Sequence, residues 1–201
     1  RHQIGNNVYT LELGLMDISE EEVVNELVPI VESYLNETLE IVSLKDSMHH
    51  LGYTSLVLKH QQNYSLQYGF QQYALEPLNC GDSFSAFHQD NLHYLALSDG
   101  MGQGKMAANE SKLTLEVLSK LILNGIGLKD TIDSINALLK IKNRNDMFTT
   151  LDLCNINLAN ARMKLIKYGA NPSYHIRSGM VEKIATNSLP VGVVSKLKMV
   201  S

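Results

Sequence analysis

Hydrophobic positions repeat with two different periods along this chain, and the switches between them mark out its elements. Ser19 followed by Glu22 forms a capping box, after which Val23, Val24, Leu27, Ile30, Val31, Tyr34 and Leu35 recur at helical spacing, so the pattern predicts one amphipathic helix over 19–39. Pro29 falls inside it and predicts a kink or break near Val28. Extended patterning takes over in Thr54–Lys59 and Tyr64–Phe70, read as two strands, and returns in Ser83–Phe87 and Leu92–Ser98. A long helix is predicted from about Lys105 to Leu123, with Leu113, Val117, Leu118, Leu121 and Ile122 along one side and Asn124-Gly125 as its stop. A second helix is predicted over Lys129–Lys140. Four short strands follow, Thr149–Leu158, Met163–Tyr168, Ser173–Ile176 and Val181–Ile184, with Gly, Asn or Pro between them. Strands, a helical pair and strands again predict an antiparallel α+β layered domain, because a doubly wound sheet would alternate regularly.

Composition narrows the function classes. With 201 residues, 44% of them hydrophobic and 19% charged, the chain is long enough to bury a substantial core as one domain or one domain with a small appendage. A formal net charge of −4 and the lack of a basic face argue against nucleic acid, whose phosphates demand clustered Lys and Arg. Two cysteines, Cys80 and Cys154, make neither a disulfide framework nor a zinc-ligand pattern, so a reducing cytosol is the expected setting. No apolar run reaches the roughly 18 residues of a membrane span. The chain starts at Arg1 instead of Met, which points to an internal fragment of a longer protein.

Chemistry concentrates in Gly81-Asp82-Ser83-Phe84-Ser85 and in Ser98-Asp99-Gly100-Met101-Gly102-Gln103-Gly104-Lys105. If Asp90-Asn91 is the two-residue loop of a hairpin, Asp82 stands directly opposite Asp99. Like charges so placed repel unless a cation lies between them, and oxygen ligands without Cys or His favour magnesium or manganese. A carboxylate shared by two ions about 3.5 to 4 Å apart would lower the pKa of a bound water and clamp phosphate oxygens, which suits hydrolysis of a phosphate ester. The glycines after Asp99 allow a tight turn that brings the Gly100 carbonyl toward a metal. The plainer alternative is a strand-to-helix turn with Asp82 as a solvated loop acid. A Walker A loop is excluded because Asp99 and Met106 stand where Gly and Ser or Thr belong, and Lys105 replaces the third Gly of a dinucleotide fingerprint.

Several further strings read as one set with these: Asn109-Glu110-Ser111, Met147-Phe148-Thr149-Thr150-Leu151-Asp152, Gly169-Ala170-Asn171-Pro172-Ser173 and Leu189-Pro190-Val191-Gly192. Together, from Thr54 to the end, they resemble the phosphatase domain of stage II sporulation protein E, within the protein phosphatase 2C-like class. That resemblance implies a four-layer α-β-β-α sandwich, two antiparallel sheets flanked by helices, truncated at its C-terminus before the last metal-binding segment. It implies residues 1–53 as an N-terminal helical regulatory segment and 54–201 as the catalytic domain. Asp82 and Asp99 match the first two metal-binding aspartates, with Asp99 bridging, and Gly100 gives its backbone carbonyl. Manganese is the implied cofactor, with magnesium as the alternative and two ions in the complete domain. The implied enzyme is a protein serine/threonine phosphatase acting on a phosphoserine of an anti-sigma-factor antagonist in sporulation signalling. Its implied position is the cytoplasmic side of a membrane, the parent protein being anchored by segments absent here.

Because Val200-Ser201 precede the family's later Asp-Gly, this piece is expected to be inactive or nearly so. The competing expectation is a catalytically silent regulatory or dimerisation module that binds a protein partner, a homodimer included. Asp152 is read as an acid on a strand face, not as a metal ligand. His49, His50, His88 and His93 lack ligand partners at useful spacing, Met101, Met106 and Met147 are read as core filler, and Lys142 with Arg144 are candidates for phosphate contact.

Overall fold

A computed structural model of the chain describes residues 11–16, 18–36, 38–46, 53–73, 80–89, 91–102, 104–142 and 148–193. It divides into two compact units, 1–66 with 157–161 and 67–156 with 162–201.

The first unit contains strand β1 (Leu11–Met16), a helical run, β2 (Leu39–Asp46) and β3 (Tyr53–His60). Its antiparallel sheet has the order β1-β3-β2. The capping box forms as expected: the Ser19 backbone N–H donates to Glu22 Oε2 at 2.8 Å, and the Glu22 N–H donates back to Ser19 Oγ at 3.2 Å. The helical run consists of α1 (Glu20–Glu22), a π-helical stretch (Val23–Leu27) and α2 (Val28–Leu35). The π stretch meets Pro29 at the start of α2, with the Val28 N–H reaching back five residues to the Val23 carbonyl. This extra residue per turn brings Val23 and Val28 to the core with Leu39, Leu56 and Leu58. It leaves Val24, Ile30 and Tyr34, assigned to the apolar stripe by spacing, exposed. The helix ends earlier than 39 because Asn36 adopts the left-handed conformation at φ 54°.

Two expectations for this region are corrected. The N-terminal segment expected to be helical also carries β1 and β2, and β3, placed by the sequence with the catalytic domain, pairs with those two strands. Tyr64–Phe70, read as a strand, has no regular structure.

In the second unit, β4 (Asp82–Gln89), β5 (Leu92–Asp99), β6 (Leu151–Asn157) and β7 (Arg162–Tyr168) form a sheet in the order β4-β5-β6-β7. Helices α3 (Gly104–Leu123) and α4 (Leu128–Lys142) connect β5 to β6, and β8 (Ser173–Arg177) pairs with β9 (Met180–Ile184). Burial alternates along β5, with Leu92, Tyr94, Ala96 and Ser98 buried, and Leu151 and Leu153 are buried on β6. This is the face that α3 covers: Ser83 of β4 bonds to Ser111 of α3 through their hydroxyls at 2.8 Å. Positions of opposite parity, including Asp82, Asp99 and Asp152, therefore belong to the other face. The stop read at Asn124-Gly125 is present, with Gly125 at φ 81° and the Ile126 N–H donating to the Leu121 carbonyl at 3.0 Å. The α+β class expected from the sequence is the observed one, helices on antiparallel sheets.

Candidate metal centre

The hairpin register places Asp82 opposite Asp99, and Gln89 opposite Leu92 at its other end. Two carboxylates thus meet at one end of β4 and β5. Burial raises the Asp99 carboxyl above its usual range, and the facing Asp82 carboxylate raises it further.

Backbone contacts fix Asp99 from the side of β6. The Asp99 N–H donates to Thr150 Oγ1 at 2.8 Å, while the Asp99 carbonyl accepts from the Thr150 N–H at 2.9 Å and from Thr149 Oγ1 at 2.8 Å. Beyond Asp99 the chain turns under helix α3. The Gly100 N–H donates to the Gly81 carbonyl at 3.1 Å, and a Cβ at position 100 would lie 2.0 Å from the Ala107 carbonyl oxygen, so only glycine permits this approach. Gly102 at φ 97° and Gly104 at φ 69° complete the turn.

A cavity of about 490 Å³ opens on the pair, walled by Asp82, Asp99, Asp152, Gln72, Tyr73 and the Gly169–Asn171 loop. Its lining, among the described residues, holds three acids and no basic side chain. Gln72 Nε2 donates to the Asp82 carbonyl at 2.6 Å, and Phe70 stacks on Phe84 at a centroid distance of 4.5 Å. Such a lining suits a hard cation: the Asp82 and Asp99 carboxylates meet with no basic side chain in the lining, and Gly100 follows Asp99 with its backbone carbonyl. Among the described residues no three His, Cys, Asp or Glu side chains cluster as a ligand set.

Asp152 is on the face of the sheet away from α3, ion-paired to Lys167, whose side chain is fully buried. Sequence reading gave Lys167 no role, since a lysine inside Met163–Tyr168 looks like an outward-facing strand residue; the carboxylate beside it on β6 was the available signal. Cys80, also unassigned, places its Sγ 3.8 Å from Asp82 Oδ2 and donates to the Tyr73 carbonyl. His88 and His93 face each other across the hairpin, stacked at 5.1 Å, away from the carboxylate end. His49, His50, Gln103, Met147 and Arg144 lie outside the described residues, as does the side chain of Lys142.

The profile of the family described as stage II sporulation protein E (SpoIIE) matches residues 89–201. The chain belongs to this family. Over 200 residues it is 31% identical to the stage II sporulation protein E of Bacillus subtilis (strain 168), covering 94% of this chain and 24% of that protein. Identity to the Priestia megaterium protein of the same name is 30% over 202 residues, covering 96% and 34%. This SpoIIE-family chain therefore spans about a quarter to a third of the length of the curated relatives it matches. Among solved structures, it resembles the PP2C phosphatase domain with a fragment of the regulatory domain of the cell fate determinant SpoIIE from Bacillus subtilis. The TM-score is 0.76 at 28% identity, over 98% of this chain and 59% of that one.

Proposed function

We propose that this SpoIIE-family chain carries part of a metal-dependent protein serine/threonine phosphatase, in which Asp82 and Asp99 hold the cations and Gly100 adds its carbonyl. The observation that supports this reading most is the direct pairing of Asp82 with Asp99 in a cavity lined by acids. Manganese is the proposed metal, with magnesium as the alternative and two ions in the complete domain. When bound, the ions would supply an activated water and a clamp on the phosphate oxygens. The chain's own contribution is placement: the β5 to β6 hydrogen bonds hold the Asp99 backbone, and the close fit of Gly100 beneath Ala107 ties the turn to α3.

The proposed substrate is a phosphoserine on an anti-sigma-factor antagonist in sporulation signalling, on the cytoplasmic side of a membrane to which the parent protein is anchored. Among the described residues no helix is long and apolar enough to cross a membrane. In this reading the unit that holds β1, β2 and β3 regulates the unit that holds the aspartate pair, and α3 with α4 transmit the signal to the turn that bears Gly100. Among the described residues two carboxylates and one carbonyl provide fewer oxygens than the roughly six a hard cation takes, so slow turnover or none is proposed for these 201 residues by themselves.

The test is release of phosphate from a phosphoserine protein substrate by the full-length protein, with manganese or magnesium. Activity that disappears in Asp82→Ala and Asp99→Ala, with circular dichroism unchanged, supports the assignment. Full activity in either variant defeats it. Absence of turnover in the native full-length protein, with partner binding kept, favours a silent regulatory or dimerising module instead.

A further inference from the structure

The cavity contains a third carboxylate that the proposed chemistry does not use. Gly100 bridges Thr149 antiparallel, and the Thr150 N–H reaches the Asp99 carbonyl, so Asp99 sits beside Thr150. Two residues further along β6 the same face returns, at Asp152. Diagonal neighbours in an antiparallel pair lie about 7–8 Å apart, within reach of a long or bridging contact. Asp152 also shares the cavity lining with Asp82 and Asp99. By chemistry it is a candidate ligand, but its carboxylate is turned to another partner and does not cluster with the pair.

That partner is Lys167. Its ammonium group is fully buried, pairs with Asp152 Oδ2 and donates to the Asn171 carbonyl at 2.8 Å. Ser188 Oγ donates to the Lys167 carbonyl at 2.5 Å, which fixes the backbone beneath the side chain. Buried ammonium groups demand compensating charge, so Lys167 holds Asp152 as firmly as it is held itself.

We propose that Lys167 is a positioning residue that withholds Asp152 from the cation and limits the metal centre to Asp82, Asp99 and Gly100. This rests on the metal-centre reading above. Lys167 thereby sets how much negative charge the cation meets, and with it the affinity of the centre.

The experiment is a manganese titration followed by water-proton relaxation, which reads binding without turnover, on the native protein and its variants. Lys167→Met releases Asp152 toward the cation, and affinity is expected to rise by about fivefold or more, since ligand charge count sets affinity at hard-cation sites. Adding Asp152→Asn to Lys167→Met removes both charges together, and affinity is expected to return to within about twofold of native. Unchanged or weaker binding by a folded Lys167→Met overturns the proposal, as does a loss of about fivefold or more in the double variant, which would make Asp152 a native ligand. If Lys167→Met does not fold, the double variant decides by the same limits. Asp99→Asn separates the two levels of inference: manganese binding that persists in it, or is missing from the native protein, defeats the metal-centre reading itself and the role of Lys167 with it.

Discussion

Asp99 shows how position converts an ordinary carboxylate into a strained one. Burial and the facing Asp82 hold its carboxyl above the usual range, so the folded chain retains the Asp99 proton to a higher pH than the unfolded chain does. In metal-free protein the contribution of Asp99 to stability is therefore present below the ordinary carboxylate range and falls as pH rises through the raised value. Melting temperatures in chelator across that range should show this fall, and Asp99→Asn should flatten it; an identical slope in both proteins would contradict the electrostatic account. One residue further on, Gly100→Ala drives a methyl group into the Ala107 carbonyl, and overpacking of this kind costs about 1–3 kcal/mol. Urea unfolding is expected to show a loss toward the top of that range, because the obstacle is backbone. The opposition of Asp82 and Asp99 was legible from the loop length of a hairpin, but their role as ligands was not, since a plain strand-to-helix turn fits the same spacing. Lys167 was not, since the sequence does not show which face of β7 ends up buried.

At the level of elements, the site depends on helix α3 lying close against the ends of β4 and β5. Ala107 is fully buried, and a Cβ on Gly81 would come within 3.3 Å of the Ala107 methyl. Ala107→Leu should push α3 from both glycines, lowering stability by about 1–3 kcal/mol and weakening manganese binding together. An exposed change on the same helix, Lys120→Ala, breaks only a surface i,i+4 pair with Glu116 and is expected to cost about 0.5 kcal/mol or less. Equal losses in the two variants would show that α3 does not depend on its contact with the turn. Elements with a strong local signal were legible here: α3, α4, the β4–β5 hairpin and the capping box at Ser19. Tyr64–Phe70 has the composition of a strand, but a strand exists only with a hydrogen-bonded neighbour, and no residue in the segment specifies one. The π stretch before Pro29 likewise follows from packing, because the choice between Leu27 and Val28 as the inward residue depends on the sheet beneath.

For the whole molecule, folding and cation binding should be coupled, since the proposed ligands come from both strands of one hairpin and from the turn after it. A ligand that binds only the folded state adds about 2.7 kcal/mol at a hundred times its dissociation constant. Manganese is therefore expected to raise the melting temperature of the native protein and to leave that of Asp82→Ala/Asp99→Ala unchanged. An equal rise in both would place the cation elsewhere. The two compact units give this prediction its spatial limit: the hairpin, the turn and α3 all belong to the second unit, where the stabilisation should register.

The sequence alone determined what depends on neighbours along the chain: the capped helix start, the glycine stop after α3, the alternation of β5 and the opposition of Asp82 and Asp99 across a short loop. Short-range steric and hydrogen-bonding rules set those outcomes within a few residues. Tertiary structure decided what depends on distant partners: that β3 joins β1 and β2, that Thr149 and Thr150 brace Asp99, and that Lys167 engages Asp152. Each of these is a choice among many chemically similar partners, and only the packing of the chain into closed, mutually buried surfaces selects one.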